Sequence, residues 1–292
     1  WINNNSFYFY SNKKLIVYDI QKNRGEVVNQ VGCEAFHIDV EPTTFRIAFT
    51  RENDLFVSLD SGTEIQITHD GGDGICNGDS YVHRAEFGIH DGIFWSPYGK
   101  KIAFYRKDES MVTRYPLVDI DSRPAGLRYT RYPMTGMVSE QVTIGIYDIA
   151  TGSLTYLQTG EPKDQYLPQV TWSPDGNSIF VTHLNRDQNH LKLREYDPYS
   201  GKLLRTILEE KHNKWIEPAH GPLFFKERKH RFIWFSKRDG FNQLYLYRSD
   251  GKLIKKLTPA EQDINRFLGF DDSEDNIFYT AASADGMEVH GF

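Results

Sequence analysis

One acid in this chain stands out by its setting. Glu86 lies in Tyr81-Val82-His83-Arg84-Ala85-Glu86-Phe87, pinned between aromatic residues inside a polar stretch that opens at Asn77. A carboxylate so placed can hold a cation through charge-assisted hydrogen bonds. Arg84, two residues earlier, can neutralise that carboxylate or recruit a different polar group. His83 and His90 flank it without a metal-ligand pattern. Elsewhere the signatures of catalysis are missing: there is no Gly-x-Ser-x-Gly elbow, no His-Glu-x-x-His, no phosphate loop and no Rossmann fingerprint. Gly71-Gly72-Asp73-Gly74 lacks the strand–turn–helix context of a phosphate cradle and reads as a flexible loop. Asp70 and Asp73 do not continue into a calcium loop. Asp271, Asp272, Glu274 and Asp275 read as a solvated turn between strands. With no nucleophile beside a base, no metal set and no cofactor motif, the residues themselves describe a binding or gating module.

The elements that must position Glu86 are strands. Runs such as Leu15–Asp19, Leu55–Asp60, Ile144–Asp148, Leu191–Asp197 and Leu244–Tyr247 recur along the chain. Several lead into a glycine turn and a further alternating run, at Gly152, Gly201 and Gly251. Glycine supplies the positive φ that such turns need. A second hairpin type precedes them, built on Ser-Pro-Tyr-Gly99 and Ser-Pro-Asp-Gly176, with degenerate copies at Val40–Phe49 and Phe270–Tyr279. Proline in the first central position with glycine two residues later is turn chemistry. The repeat length is roughly 40–50 residues, the size of one four-stranded β-propeller blade. The Asp60–Asp148 interval is about twice as long and carries two excursions, residues 70–89 and 107–141. Loops of that length in a compact β-protein are functional or disordered.

The chain is therefore expected to be all-β, a single β-propeller domain fragment over residues 1–292. Partial blades are expected at Trp1–Asn29 and Asp263–Phe292. Full blades are expected near Gln30–Thr68, Gly92–Thr159, Gln165–Leu208 and Trp215–Thr258. Incomplete ends would expose sheet faces, so the piece should borrow closure from another copy or be marginally stable.

Composition agrees with strands. Aromatic residues make up 14% of the 292 residues, with 17 Tyr and 19 Phe against 4 Met. The net charge is -6 and no basic run is present, which excludes a nucleic-acid-binding surface of the usual kind. Mean hydropathy is -0.56, and no apolar run approaches the roughly 20 residues of a membrane helix. Cys33 and Cys76 are either two half-buried free thiols or a single bridge. The start at Trp1 rather than Met suggests a piece of a longer protein.

Tyr81–Phe87 followed by Phe94-Trp95-Ser96-Pro97-Tyr98-Gly99, then Arg131-Tyr132-Pro133-Met134-Thr135-Gly136, Ile146-Tyr147-Asp148 and Arg238-Asp239-Gly240-Phe241, form an ordered set across nearly the whole chain. This set resembles the propeller domain of dipeptidyl-peptidase IV and its bacterial relatives, of the prolyl oligopeptidase family. The resemblance implies a parent in which an eight-bladed propeller caps an α/β-hydrolase domain and in which dipeptides are removed from peptide N-termini, with Pro or Ala preferred second. The Ser-Asp-His triad would lie in the hydrolase domain, so no catalytic residue is expected in this chain and the fragment alone should be inactive. In the family, two adjacent glutamates hold the substrate ammonium. The second falls on Glu86, the first on Ala85, and a preceding acidic position on Arg84. Glu86, and secondarily Arg84, are therefore the expected substrate-binding residues, with no metal and no cofactor.

The implied partners are peptides with a free N-terminus, the hydrolase domain of the same chain, and a second copy in a homodimer. The implied location is periplasmic or secreted. Two alternatives stay open: a propeller interaction module without a peptidase role, and a related peptidase whose N-terminal specificity is altered at Ala85.

Overall fold

The computed structural model describes residues 1–292 except Ser61, Ala219, Ala260, Ala284, Asp285 and Met287. Among the described residues the fold is strands and connections, with two single 3-10 turns. The chain forms two compact units, one of Trp1–Ala85 and His90–Asp164, the other of Glu86–Ile89 and Gln165–Phe292.

The first unit opens with a three-stranded antiparallel sheet, β1 (Ser6–Ser11), β2 (Lys14–Asp19) and β3 (Arg24–Gln30). A four-stranded sheet follows: β4 (Phe36–Val40), β5 (Ile47–Arg51), β6 (Asp54–Ser58) and β7 (Glu64–Gln66). The third sheet holds β8 (Ile75–Asn77), β9 (Ile93–Trp95), β10 (Lys101–Asp108), β13 (Gln141–Asp148) and β14 (Leu154–Tyr156). Between β10 and β13 stands a separate hairpin, β11 (Arg114–Asp119) with β12 (Gly126–Arg131). The alternating side chains fill the space between neighbouring sheets. Leu15, Ile47, Phe49 and Phe56 form one such core with Tyr8 and Tyr10. Ala48, Leu55, Val57, Ile93, Ile102 and Phe104 form the next.

In the second unit β15 (Val170–Trp172), β16 (Ile179–Leu184), β17 (His190–Tyr196) and β18 (Leu203–Lys211) make one four-stranded sheet. Another follows from β19 (Leu223–Phe224), β20 (Arg231–Ser236), β21 (Gln243–Arg248) and β22 (Leu253–Lys256). A three-stranded sheet closes the series, β23 (Ile264–Phe270), β24 (Ile277–Ala282) and β25 (Val289–Gly291). Phe180, Leu193, Phe232, Trp234 and Tyr247 pack between the first two of these sheets. Ile233, Leu244, Leu246, Ile264 and Ala281 pack between the second and third. Four fuller sheets flanked by a three-stranded one at each end is the blade pattern the repeats predict, and the fold is a β-propeller one.

The hairpin turns show why the repeat is readable. The residue before the turn caps it with a side-chain oxygen. Ser96 Oγ accepts from Lys101 N at 2.8 Å, and Ser173 Oγ from Ser178 N at 3.0 Å. In the degenerate copies an acid does this work. Glu41 accepts from Thr44 N and Oγ1 at 2.6 and 2.7 Å, and Asp271 from Asp275 N at 3.0 Å. Glu274 departs from the expected solvated turn. It is 6% exposed, and its carboxylate accepts the backbone N–H of Glu227 at 3.1 Å. Cys33 and Cys76 are both free and half-buried.

Candidate functional site

The stretch that carries Glu86 interrupts a strand. β8 pairs with residues 106–108 of β10, and β9 pairs with residues 102–104 of the same strand. The two short strands thus occupy one position beside β10, split by an outward excursion. Its neck is a single residue: Gly78 N donates to Tyr105 O at 2.7 Å, and Tyr105 N donates to Gly92 O at 3.0 Å. Tyr105 is fully buried, so the neck is fixed in the core. Glycine is required where the two limbs cross, because a Cβ on Gly92 would lie 2.3 Å from the carbonyl carbon of Asp79. Residues 70–89, expected as one long excursion, are not loop throughout, because they contain β8.

Nor is the Gly71–Gly74 run loose. Asp70 pairs with Arg106 at 2.7 Å and Asp73 with Arg131 at 3.0 Å. Arg131 also donates to Ser110 O at 2.9 Å. The Asp73–Arg131 pair ties the first excursion to the second, residues 107–141.

At the tip the backbone is left-handed over His83, Arg84 and Ala85, with φ of 47°, 60° and 57°, and again at Phe87, with φ of 60°. A short 3-10 turn spans His83–Ala85. Each non-glycine residue in that region costs about 1 kcal/mol or more, so the surroundings must hold it. In the first unit two buried groups do so. Glu140, 3% exposed, accepts the His83 backbone N–H and lies 3.8 Å from Arg84 Nε. Lys107 donates to Tyr81 O at 2.8 Å and to Asp79 at 3.0 Å. Burial works against the Lys107 ammonium, yet the Asp79 and Glu109 carboxylates hold its pKa above the usual lysine value. Burial raises the pKa of Glu140 despite the nearby Arg84.

Arg84 is half-buried. Its Nη2 donates to Arg131 O at 2.8 Å, and its guanidinium lies 5.7 Å from the Tyr81 ring and 5.4 Å from the Tyr132 ring. Its ion-pair partner is Glu140. The Arg131-Tyr132 motif thus seats Arg84. His83 is 5% exposed, whereas His90 is exposed.

Glu86 belongs to the second unit with Phe87, Gly88 and Ile89. It is exposed. Its backbone carbonyl accepts from Ile89 N at 3.2 Å. Among the described residues its carboxylate has no hydrogen-bond or ion-pair partner. The Phe87 ring lies 5.1 Å from Tyr166 and packs on the core of Phe180, Leu193 and Trp234. In the same unit a cavity of about 570 Å³ is lined by Trp215, Glu217, His220, Trp234 and Arg238 among others. Arg238 is committed within its wall: it donates to Glu210 at 2.8 Å and to Tyr247 Oη at 2.6 Å, and stacks 4.4 Å from Tyr245.

Sequence reasoning singled out Glu86 and Arg84 but missed Glu140 and Lys107. A lone acid and a lone lysine in alternating strands carry no pattern, and their partners are backbone atoms some tens of residues away.

Blades of antiparallel strands, one of them interrupted by a looped-out segment, define a β-propeller domain. Residues 4–292 match the model of the dipeptidyl peptidase IV (DPP IV) N-terminal region, and the chain belongs to that family. It is similar to the Phaeosphaeria nodorum protein named probable dipeptidyl-aminopeptidase B, at 27% identity over 94% of this chain and 34% of the relative. Among solved structures, the Bacteroides ovatus protein assigned as a dipeptidyl aminopeptidase IV aligns at a TM-score of 0.90 and 36% identity, covering 100% of this chain and 43% of that one. Porphyromonas gingivalis dipeptidyl peptidase 4 shares the fold, at a TM-score of 0.80 and 24% identity, over 99% of this chain and 43% of that one. The chain spans about a third of the length of the curated relatives it matches. No helix among the described residues is long and apolar enough to cross a membrane.

Proposed function

We propose that this chain is the non-catalytic propeller portion of a dipeptidyl-peptidase IV-like serine exopeptidase, and that Glu86 receives the free ammonium of the peptide substrate. The observation that carries the reading is an exposed carboxylate, without a partner among the described residues, set between left-handed residues at His83–Ala85 and Phe87, in a chain of this family. An exposed acid of no function has no need of a strained, buried scaffold. Within the first unit Glu140 and Lys107 hold the left-handed residues His83–Ala85, and within the second Phe87 packs on a buried core. A carboxylate fixed in this way keeps its charge for a ligand, and a charge-assisted hydrogen bond to an ammonium is worth roughly 1.5–3 kcal/mol.

Arg84 is the secondary substrate contact. Its charge is balanced by Glu140, so Glu86 keeps its own, and Arg84 Nη1 has no hydrogen-bond partner among the described residues. The hydrolase domain with its nucleophile lies elsewhere in the full-length protein, which is periplasmic or secreted and forms homodimers. Ala85 leaves one carboxylate where the family resemblance implies two, which favours weaker ammonium capture and an altered N-terminal preference.

The test is Glu86→Ala in the full-length protein. KM for peptides with a free N-terminus should rise about tenfold, equivalent to about 1.4 kcal/mol, while N-blocked peptides change little. The 292-residue chain by itself should hydrolyse neither. Equal effects on the two substrate classes would remove Glu86 from the ammonium role.

A further inference from the structure

Besides the packing of the Phe87 ring, the short segment Glu86–Ile89 is tied to the second unit by a side-chain amide. Gln169, directly before β15, donates from Nε2 to Phe87 O at 2.8 Å and to Pro218 O at 2.7 Å. A carboxamide nitrogen carries two N–H donors and no acceptor. Both donors are therefore spent, one on the residue after Glu86 and the other on the loop that lines the cavity. The orientation is fixed by chemistry: turned over, the amide would set its oxygen against two carbonyl oxygens. Gln169 Oε1 is buried and has no hydrogen-bond partner among the described residues, so the amide gives up one acceptor to keep both donors in place. Leaving a buried acceptor unpaired is unfavourable, and sheet pairing alone would not require this residue.

The loop is seated as closely as the segment. A Cβ on Gly221 would lie 2.5 Å from Thr171 Oγ1 and 3.4 Å from Gln169 Cβ. Phe87 and Ile216 pack against the same buried core. Trp215, Ile216, Glu217 and Pro218 all line the cavity. Phe87 itself stands at a φ of 60°, a conformation that needs an external hold.

We propose that Gln169 is a positioning residue for Glu86: its two donors fix the Phe87 carbonyl and the Pro218 carbonyl in one register, and so set where the Glu86 carboxylate stands relative to the loop of Trp215–Pro218. Gln169 does not touch the substrate ammonium. The inference rests on the reading of Glu86 given above. It adds that the selectivity for free amino groups is set by an uncharged residue distant in sequence.

The decisive variant is Gln169→Glu in the full-length protein, which keeps size and reach but places a carboxylate against two carbonyl oxygens. KM for a free-amino substrate should rise about tenfold relative to wild type at pH 8, with kcat within about threefold and N-blocked substrates little changed. The defect should ease as the pH is lowered, because the introduced carboxyl regains one donor once protonated; a role confined to general folding would not track pH in this way. If Gln169→Glu yields no folded protein, Gln169→Met, which removes both donors without adding charge, is read by the same KM comparison. Glu86→Ala and the double variant complete the cycle. A double variant no worse than Glu86→Ala alone supports action through Glu86, and additive losses overturn it. An unchanged free-amino KM in Gln169→Glu, with Glu86→Ala impaired, overturns the positioning role and leaves the reading of Glu86 intact. An unchanged KM in Glu86→Ala overturns both.

Discussion

Two kinds of tight turn in this molecule make an instructive pair. The scaffold turns at Ser96–Lys101 and Ser173–Ser178 place glycine at positive φ, 61° at Gly99 and 70° at Gly176, and cap themselves with a serine three residues upstream of that glycine. Their caps lie within six residues of sequence, although Tyr98 also stands at a φ of 64° and Arg46 donates to Gly99 O at 2.8 Å. The turn at His83–Phe87 places histidine, arginine, alanine and phenylalanine at positive φ and takes its support from Glu140, Lys107 and Gln169. Its conformation is imposed from outside. The Ser173–Ser178 turn places only its glycine at positive φ, whereas the turn at His83–Phe87 holds four non-glycine residues there and leans on distant partners.

The largest test of that contrast is Glu140→Ala. It removes the acceptor of the buried His83 N–H and the ion-pair partner of Arg84, whose side chain is 22% exposed. Breaking a buried pair from one side costs about 3–5 kcal/mol, and partial exposure of Arg84 puts the expected loss near the bottom, about 3 kcal/mol. Chemical denaturation measures it. A loss under about 1 kcal/mol would mean the turn holds itself, and the contrast with the scaffold turns would fail.

Acidification separates the two regions by sign. In the scaffold, burial, with help from Arg194 and Lys192, lowers the pKa of His183 to about 3 from 6.5. Its ring nitrogens bond Gln165 at 2.8 Å and Tyr196 Oη at 2.9 Å. The fold takes the neutral form, so its contribution is complete above pH 6.5 and declines as the pH falls from there towards 3. By pH 5 the loss is about 2 kcal/mol. Glu140 runs the other way. Burial raises its pKa, so its contribution is greatest at low pH and is lost as the pH rises through the folded value. A His183→Gln variant should flatten the acid limb of a stability-versus-pH curve. An unaltered limb would assign acid sensitivity to other groups.

The difference between the turns also explains what could be read from the sequence. Ser-Pro-Tyr-Gly99, Ser-Pro-Asp-Gly176 and the glycines at 152, 201 and 251 announce hairpins because their chemistry is local, and the sheets fall where those signals put them. Even Glu41 and Asp271 are recoverable, since an acid can replace the capping serine. The split strand was not legible. β8 and β9 are three residues each, too short to show alternation, and the residue that joins their ends is Tyr105, a β10 residue with no special pattern. Glu86 was singled out by its motif, but the long-range bonds around it were not legible. Glu140 and Gln169 act on backbone atoms 57 and 82 residues distant, and a hydrogen bond to a backbone carbonyl or amide leaves no mark on the identity of the residue that receives it.

The smallest expected effect falls on the scaffold side. Ser173→Ala removes the Oγ that accepts Ser178 N at 3.0 Å and that also donates to Asp175 at 2.6 Å. Gly176 still supplies the left-handed residue, and Ser173 N still donates to Ser178 O at 2.9 Å. The cost should be about 1 kcal/mol, that of a lost cap. Substrate affinity should not change, because nothing in this turn reaches Glu86. The pair Ser173→Ala and Glu140→Ala therefore divides two properties: the first lowers stability slightly at constant KM, and the second lowers stability and raises KM for free-amino peptides together. A Ser173→Ala variant that raised KM as much as Glu140→Ala would show that Glu86 responds to any loosening of the blades, and the site turn would then owe its geometry to the scaffold at large rather than to its own few long-range partners.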